Sequence, residues 1–284
     1  MTSNRRSAMV EACAAALGKQ TLTEMRSVLD DYELSVASVG VVEDAHSYLV
    51  GVLDATPLSS LQGLYQRLVI AERSPFDGDG LKIFMSHLSD QKGLVDEVSQ
   101  ALRPYRVQGF VAHTSISPTA QWQDVVEAAL TDCDALAAFV VGEFCASEWC
   151  DQEVGWVLGR GVPAVPLAFG AQPYGLLGKY QSVPCAAADP ENVADSLMAA
   201  LVAIPALHGA LAEHLSRAFH DSRTWNFTRS VMPLLGRIPV FTPEQLERLT
   251  EAAEHNKHVY DCDVRGMSGL DWTRRFVGER EAAA

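Results

Sequence analysis

The sequence predicts an α/β fold in which a doubly wound parallel sheet is flanked by all-helical segments on both sides. In the middle of the 284-residue chain, short apolar runs alternate with amphipathic stretches, as they do in repeated strand–helix–strand units. Before and after this section, apolar residues recur at helical spacing. Because 48% of the residues are hydrophobic, the chain can bury a full core, and its length suggests up to three domains.

Residues 1–72 are predicted to form a helical module that assembles or senses. Thr21 and Glu24 fit a capping box, in which the hydroxyl accepts an amide proton of the first turn and the glutamate reaches back. Residues 73–80 are rich in residues that break helices and strands, so they are predicted to be a linker. The apolar helical stretches are Ala8–Leu17, Leu22–Leu29, Tyr48–Leu53 and Leu61–Ile70.

Residues 81–204 are predicted to form the α/β domain. Ligands of doubly wound folds bind outside the carboxyl ends of the strands, so the chemistry is expected in the loops that follow them. The predicted strands are Lys82–Ser86, Val107–Ala112, Ala135–Val141 and Pro163–Leu167. The predicted helices are Lys92–Leu102, Gln121–Leu130, Ser147–Leu158 and Glu191–Val202.

Residues 205–284 are predicted to be a second, C-terminal helical module. Thr242-Pro-Glu-Gln245 combines an N-cap, a proline at the first helical position and a capping-box glutamine. The sequence leaves open whether Ser230–Pro239 is a loop or a short helix. His255 and His258 lie three residues apart on one helix without further ligands in view, so we expect no metal site there.

Composition and charge exclude several classes of protein. The net charge is −14, and residues 81–204 alone have 6 basic and 14 acidic residues, so direct nucleic-acid binding is not expected. The six cysteines form no Cys-x-x-Cys pair, and we interpret them as reduced, mostly packed thiols of a cytoplasmic protein. No stretch has the roughly 18 unbroken apolar residues of a membrane span.

Four segments of the middle section carry a family resemblance. They are Lys82–His87, Phe110–Asp124, Cys145–Glu153, and Gly159–Leu167 followed by Pro173–Gly175. Together they resemble the Toll/interleukin-1 receptor (TIR) domain of the bacterial NAD-cleaving kind. In that family they correspond to the opening strand and its Ser-containing loop, the second strand with the mobile BB loop, the segment of the catalytic glutamate, and the strand that follows it. The resemblance implies a flavodoxin-like sheet.

Glu153 is the predicted catalytic residue. Ser147 is a natural N-cap for its helix, and helical spacing places Trp149, Cys150 and Trp156 on the face that Glu153 occupies. We therefore expect the carboxylate to be surrounded by bulky apolar groups that exclude water. Such a carboxylate can stabilise the oxocarbenium-like ribose that forms as nicotinamide leaves NAD⁺.

The resemblance implies further residues on the substrate side. Trp122, at the start of the helix after the BB loop, takes the place of an aromatic residue that shapes the nicotinamide side, and Tyr174 is the nearest candidate for a stacking aromatic. Ser86 and His87 follow the first strand, where the ligand is expected to pass. Trp149 completes the predicted substrate-binding set. NAD⁺ is the substrate, and no cofactor or metal is expected.

The function implied by the resemblance is that of an NAD⁺ nucleosidase in antiphage defence or signalling. It is expected to become active by self-assembly, with the BB loop (about His113–Gln121) of one subunit completing the site of its neighbour. An alternative is a non-enzymatic TIR adaptor that acts through protein association. A third class, a flavodoxin-like phosphate receiver, would need an acidic cluster where Ser86 and His87 stand.

Overall fold

The chain divides into two compact units, and each has a hydrophobic core. The computed structural model describes residues 3–32, 34, 45–65, 68, 74–76, 78–112, 122–185, 189–264 and 266–282. One unit consists of Met1–Pro75 and Ala120–Asp132, and the other consists of Phe76–Thr119 and Cys133–Ala284.

The first unit is helical, as predicted. Its helices are α1 (Ser3–Leu17), α2 (Leu22–Asp30), α3 (Ala45–Asp54) and α4 (Leu58–Tyr65), together with α6 (Trp122–Asp132) from the middle of the sequence. The capping box of Thr21 and Glu24 is present. Helix α1 packs on α3 and α4, and the fully buried leucines of this core include Leu17, Leu29, Leu49, Leu53 and Leu61. Four residues of the predicted stretch Leu61–Ile70 lie outside the described residues.

The second unit contains a five-stranded parallel sheet with the strand order β2-β1-β3-β4-β5. The four predicted strands are confirmed within one or two residues at each end. The fifth strand was missed because it has two residues, one of them a proline, and shows no alternation. The strands are β1 (Leu81–Ser86), β2 (Val107–Phe110), β3 (Ala135–Val140), β4 (Ala164–Ala168) and β5 (Val183–Pro184).

Helices cover both faces of this sheet. On one face, α5 (Lys92–Leu102) packs on α8 (Pro190–Leu201) and on β2. Helix α7 (Glu148–Gly159) contacts β1, β3 and β4. Side chains alternate along a strand, so Ile83 and Met85 enter the core with α5 and α8, whereas Ser86 faces α7. The predicted α5, α7 and α8 are confirmed within one residue at each end.

The C-terminal helices share a core with the sheet. Buried residues such as Leu215, Phe219 and Leu249 belong to the same cluster as Ile83 and Met85. The segment predicted as a separate C-terminal module is therefore part of the second compact unit. Its elements are α9 (His208–His220), α10 (Trp225–Arg237), α11 (Pro243–His255), α12 (Lys257–Tyr260), the hairpin β6 (Asp263–Val264) and β7 (Met267–Ser268), and α13 (Gly269–Glu281).

Helices α10 and α11 contain the two stretches of this segment for which the sequence made a local prediction. The capping box of Thr242 and Gln245 at the start of α11 is confirmed. The stretch Ser230–Pro239, which the sequence left open between loop and helix, lies largely in α10, with Pro233 inside the helix. Apolar residues such as Met232 and Leu235 are buried there, so packing of this face stabilises the helix despite the proline.

Three further features concern the part of the chain that the structure describes: its cysteines, the apolar length of its helices, and its groups of metal-binding side chains. All six cysteines are free thiols, and five are buried while Cys145 is exposed. No single described helix is long and apolar enough to cross a membrane. The helical segments Pro190–Leu201 and Pro205–His220 have that length and composition only when taken together, and they are bent by 94° relative to each other. Among the described residues, no cluster of three His, Cys, Asp or Glu could hold a metal ion.

Candidate active site

Helix α7 begins as the sequence predicts. The Ser147 hydroxyl accepts a hydrogen bond from the backbone N–H of Cys150 at 3.3 Å. Glu148 and Asp151 place negative charge in the first turn, where the helix dipole favours it. The N-cap fixes where the helix starts, and therefore fixes which side chains one turn later face the sheet.

Glu153 is one of the side chains that face the sheet. It is buried, with 6% of its surface exposed, and its Oε2 accepts a hydrogen bond from the Ser86 hydroxyl at 2.6 Å. Ser86 is the last residue of β1 and is fully buried. The carboxyl group therefore lies at the carboxyl end of β1, the edge at which doubly wound folds bind ligands.

Burial changes the acidity of Glu153. Removal of water raises the pKa of this carboxyl to about 7, and the hydrogen bond from Ser86 acts in the opposite direction. Both protonation states are therefore populated near neutral pH. The ionised form is poorly hydrated, so it can interact strongly with a positive charge that develops beside it.

One further contact ties the loop after β1 to α7, and another fixes the His87 ring against the end of β1. The Cys150 thiol donates to the carbonyl oxygen of His87 at 3.7 Å. The His87 ring lies with Nδ1 2.7 Å from the carbonyl oxygen of Met85, and because a carbonyl can only accept, Nδ1 carries the proton. Burial is the main cause that raises the pKa of the Cys150 thiol. This thiol is therefore a packed donor and not a thiolate.

The indoles of α7 differ from the expectation that they enclose Glu153. Trp149 is 44% exposed and Trp156 is 37% exposed. Both belong to α7, seven residues apart, so they share one side of the helix. Two rings this accessible cannot alone account for a carboxyl group that is 6% exposed. The burial of Glu153 comes instead from the packing of α7 on the sheet, where Ser86 is its partner.

Tyr174 lies in the loop after β4, and its hydroxyl donates to the carboxylate of Asp151. Burial and the nearby Asp151 raise the pKa of this phenol. Asp151 and Glu153 are two residues apart, so their side chains point about 160° apart around the helix. The structure thus fixes Tyr174 against α7, on a different side of the helix from Glu153.

Two other predicted parts of the site lie outside the described residues of the second compact unit. Trp122 is the first residue of α6 and belongs to the first compact unit. The BB-loop residues, about His113–Gln121, lie outside the described residues. The role of Trp122 and the role of this loop in assembly therefore stay predictions.

The hydrogen bond between Ser86 and Glu153 was missed at the level of the sequence, although both residues were named. A usable signal is the alternation along β1. Phe84 and Ser86 share a face, and a serine at the end of a buried strand needs a polar partner from the helix that covers that face.

Comparison with known families identifies the central domain. A family model for the TIR domain matches residues 83–198, from β1 into α8. Comparisons with curated proteins and with solved structures find no match. The matched region contains the parallel sheet, α7 and the pair formed by Ser86 and Glu153. Residues 83–198 of this chain are a TIR domain.

Proposed function

We propose that this protein is an NAD⁺ nucleosidase that breaks the bond between nicotinamide and ribose. The observation that carries the proposal is the buried Glu153 carboxyl, held by Ser86 at the ligand-binding edge of the sheet. TIR domains include signalling proteins and NAD-cleaving enzymes, and a buried carboxyl at this edge favours the second class.

The chemistry asks little of the protein beyond this carboxylate. As the C–N bond breaks, its electron pair goes to the pyridinium nitrogen, so nicotinamide leaves as a neutral molecule without a general acid. Positive charge develops on the ribose ring, and the ionised Glu153 stabilises it. Water then adds to the anomeric carbon with loss of a proton and gives ADP-ribose. If a nucleophilic atom of the same ADP-ribosyl group attacks the anomeric carbon in place of water, the product is a cyclic ADP-ribose.

The contacts of Ser86 favour a positioning role over the direct substrate contact expected from the sequence. Its hydroxyl donates to Glu153 and is fully buried. It fixes the orientation of the carboxyl and lowers its pKa relative to burial alone. His87, Trp149, Trp122 and Tyr174 remain proposed substrate-side residues, and His87 has the best support because its ring is held beside the end of β1.

Self-assembly is part of the proposal. The BB loop of one subunit contributes to the site of its neighbour, the helical first unit promotes the assembly, and the cellular role is antiphage defence by NAD depletion in the cytoplasm. The support is the resemblance to bacterial NAD-cleaving TIR proteins on the segments named above. NAD⁺ is the small-molecule partner, and a second copy of the chain is the protein partner.

The experiment is incubation of the full chain with NAD⁺ at a series of protein concentrations, followed by chromatography of the products. Nicotinamide should appear in equal amount to ADP-ribose plus cyclic ADP-ribose, and turnover per chain should rise with protein concentration. Turnover per chain that does not depend on concentration would contradict the assembly requirement. Absence of products at all concentrations, with size-exclusion chromatography showing assembled protein, would contradict the activity.

A second candidate function is a non-enzymatic adaptor. The observation that favours it is the exposure of large apolar side chains, Trp149 and Trp156 on α7 and Leu176 in the loop after β4, because exposed apolar groups are common at protein interfaces. The same incubation separates the two functions. An adaptor assembles through this surface and leaves NAD⁺ intact.

A further inference from the structure

A cavity of about 620 Å³ lies at the end of the sheet where β2 begins, opposite the end at which Glu153 contacts β1. Val107 and Gln108, which line it, are the first residues of β2, whereas Ser86 is the last residue of the neighbouring parallel strand β1. The turn before β2 and the connection between α9 and α10 supply most of the remaining wall. All of its lining residues belong to the second compact unit.

Three arginines line this cavity, in a chain with a net charge of −14. Arg106 forms an ion pair with Asp221, with an N–O distance of 2.6 Å. Arg103 and Arg223 are exposed and form no ion pair among the residues that the structure describes. Two guanidinium groups are therefore available at one cavity in an otherwise acidic protein.

The two carboxylates of the lining do not neutralise these arginines. Asp221 is engaged by Arg106 and by His220, and Asp79 is engaged by Arg217. Each carboxylate already has a cationic partner. An anion that enters the cavity therefore meets Arg103 and Arg223 without displacing an existing ion pair.

The remaining wall is suited to a ring. Phe227 lines the cavity and is half-buried. Its ring also packs on the ring of Tyr105, with the two centroids 5.1 Å apart. Pro104 adds apolar surface, and the Gln108 amide and Thr224 hydroxyl add hydrogen-bonding groups. The volume falls within the range of small-molecule sites, which combine an apolar wall with a few polar groups.

We propose that this cavity binds a phosphate-bearing small molecule of nucleotide size. Arg103 and Arg223 bind the phosphate groups, because a guanidinium donates two parallel hydrogen bonds to phosphate oxygens. Phe227 contacts the base. The site is separate from the proposed catalytic carboxyl, and its occupancy does not depend on NAD⁺ cleavage.

The test is a titration of the full chain with sodium pyrophosphate and, separately, with ADP, at constant ionic strength. Binding is followed by isothermal titration calorimetry and by the shift in Tm. The wild type should bind both ligands saturably and with one strong site, and ADP should bind several-fold more tightly than pyrophosphate because its base contacts Phe227. The doubly substituted variant Arg103→Ala/Arg223→Ala should bind both ligands at least about tenfold more weakly.

Two control variants make the result specific. Arg274→Ala removes one exposed arginine on α13 that forms no ion pair among the described residues, and it should leave both affinities unchanged. Glu153→Gln should also leave them unchanged, which separates this cavity from the proposed catalytic site. Because Arg103 and Arg223 are exposed, their removal should not unfold the protein, and the Tm without ligand checks this.

Three results would overturn the inference. Wild-type protein could fail to bind pyrophosphate and ADP, the double variant could bind them as tightly as the wild type, or Arg274→Ala could weaken binding as much as the double variant does. Equal affinities for ADP and pyrophosphate would overturn the assignment of a base to Phe227.

Discussion

At the scale of single residues, Glu153 occupies surroundings that oppose its own ionisation. The carboxyl is 6% exposed, and the one hydrogen bond it makes among the described residues comes from Ser86. An amide or an apolar side chain at this position would make the folded protein more stable, because a buried charge without a cationic partner destabilises the fold. The cost in stability is consistent with a residue kept for its chemistry.

The first prediction concerns stability and pH. The pKa of Glu153 in the folded protein, about 7, lies above the unfolded value of 4.5, so stability falls as the pH rises from about 4.5 to about 7. Glu153→Gln removes this loss. In urea denaturation, the variant should exceed the wild type in free energy of unfolding by about 3 kcal/mol at pH 8 and by less than about 1 kcal/mol at pH 5.

The matched control for this measurement is Glu148→Gln. Glu148 lies on the same helix but is exposed, so its substitution should not produce a pH-dependent gain. A Glu153→Gln variant that is less stable than the wild type at pH 8 would show that the folded protein stabilises the charge at position 153.

The second prediction concerns the pH dependence of catalysis, and it rests on the proposed function. Only the ionised carboxyl can stabilise a ribose cation, so kcat should rise as the pH increases through about 7. Ser86→Ala removes the hydrogen bond that lowers this pKa, so the midpoint of the profile should move to higher pH. A profile with the same midpoint in wild type and Ser86→Ala would remove Ser86 from its positioning role.

At the scale of elements, α7 bears Glu153, and one side chain, the N-cap Ser147, fixes where this helix starts. Ser147 accepts from the N–H of Cys150, and this sets the register in which Cys150 and Glu153 face β1. The sequence predicts this helix well because an N-cap, acidic residues in the first turn and an apolar face all indicate the same start.

The third prediction tests that start. Ser147→Ala should lower the free energy of unfolding by about 1 kcal/mol, because one amide of the first turn loses its acceptor. Ser147→Asp should retain most of the stability, since aspartate is also a good N-cap. Equal stability of wild type and Ser147→Ala in urea denaturation would mean that the hydroxyl does not cap the helix in solution.

Elements with several consistent signals were predictable, and those without them were not. The strand β3, with six buried residues, and α5, with its single apolar face, were predicted within one residue at each end. The two-residue strand β5 has no alternation to detect, and it forms by pairing with β4. In the site, the sequence predicted which helix bears Glu153 but not that its indoles are exposed, because helical spacing gives a face and not the neighbour that covers it.

At the scale of the whole molecule, the TIR domain does not bury its core alone. Leu207, Leu215 and Phe219 of the C-terminal segment pack in the same cluster as Ile83 and Leu197. Periodicity in a sequence shows that a helix has an apolar face, but it does not show whether that face packs on its own neighbours or on a preceding domain. This is why residues 205–284 were predicted as a module of their own.

The fourth prediction follows from this shared core. A chain cut after Ile204 should expose the apolar surface that α9 to α13 cover, and it should bind a dye for exposed apolar groups and lose cooperative unfolding. Phe219→Ala in the full chain should cost about 3 to 5 kcal/mol. A chain cut after Ile204 that stays soluble and binds no more of this dye than the full chain does would contradict the shared core.

The most direct test of the central claim is nicotinamide release by the Glu153→Gln variant in its assembled form, compared with the wild type and with Glu148→Gln at equal concentration. The variant keeps the size of the side chain and one oxygen that can accept from Ser86, and it removes the negative charge that the proposed reaction needs beside the ribose. We predict that Glu153→Gln lowers turnover by at least about a hundredfold, because removal of a group that stabilises charge in a transition state has an effect of this size. Glu148→Gln should retain wild-type turnover. Wild-type turnover by folded, assembled Glu153→Gln would contradict the account.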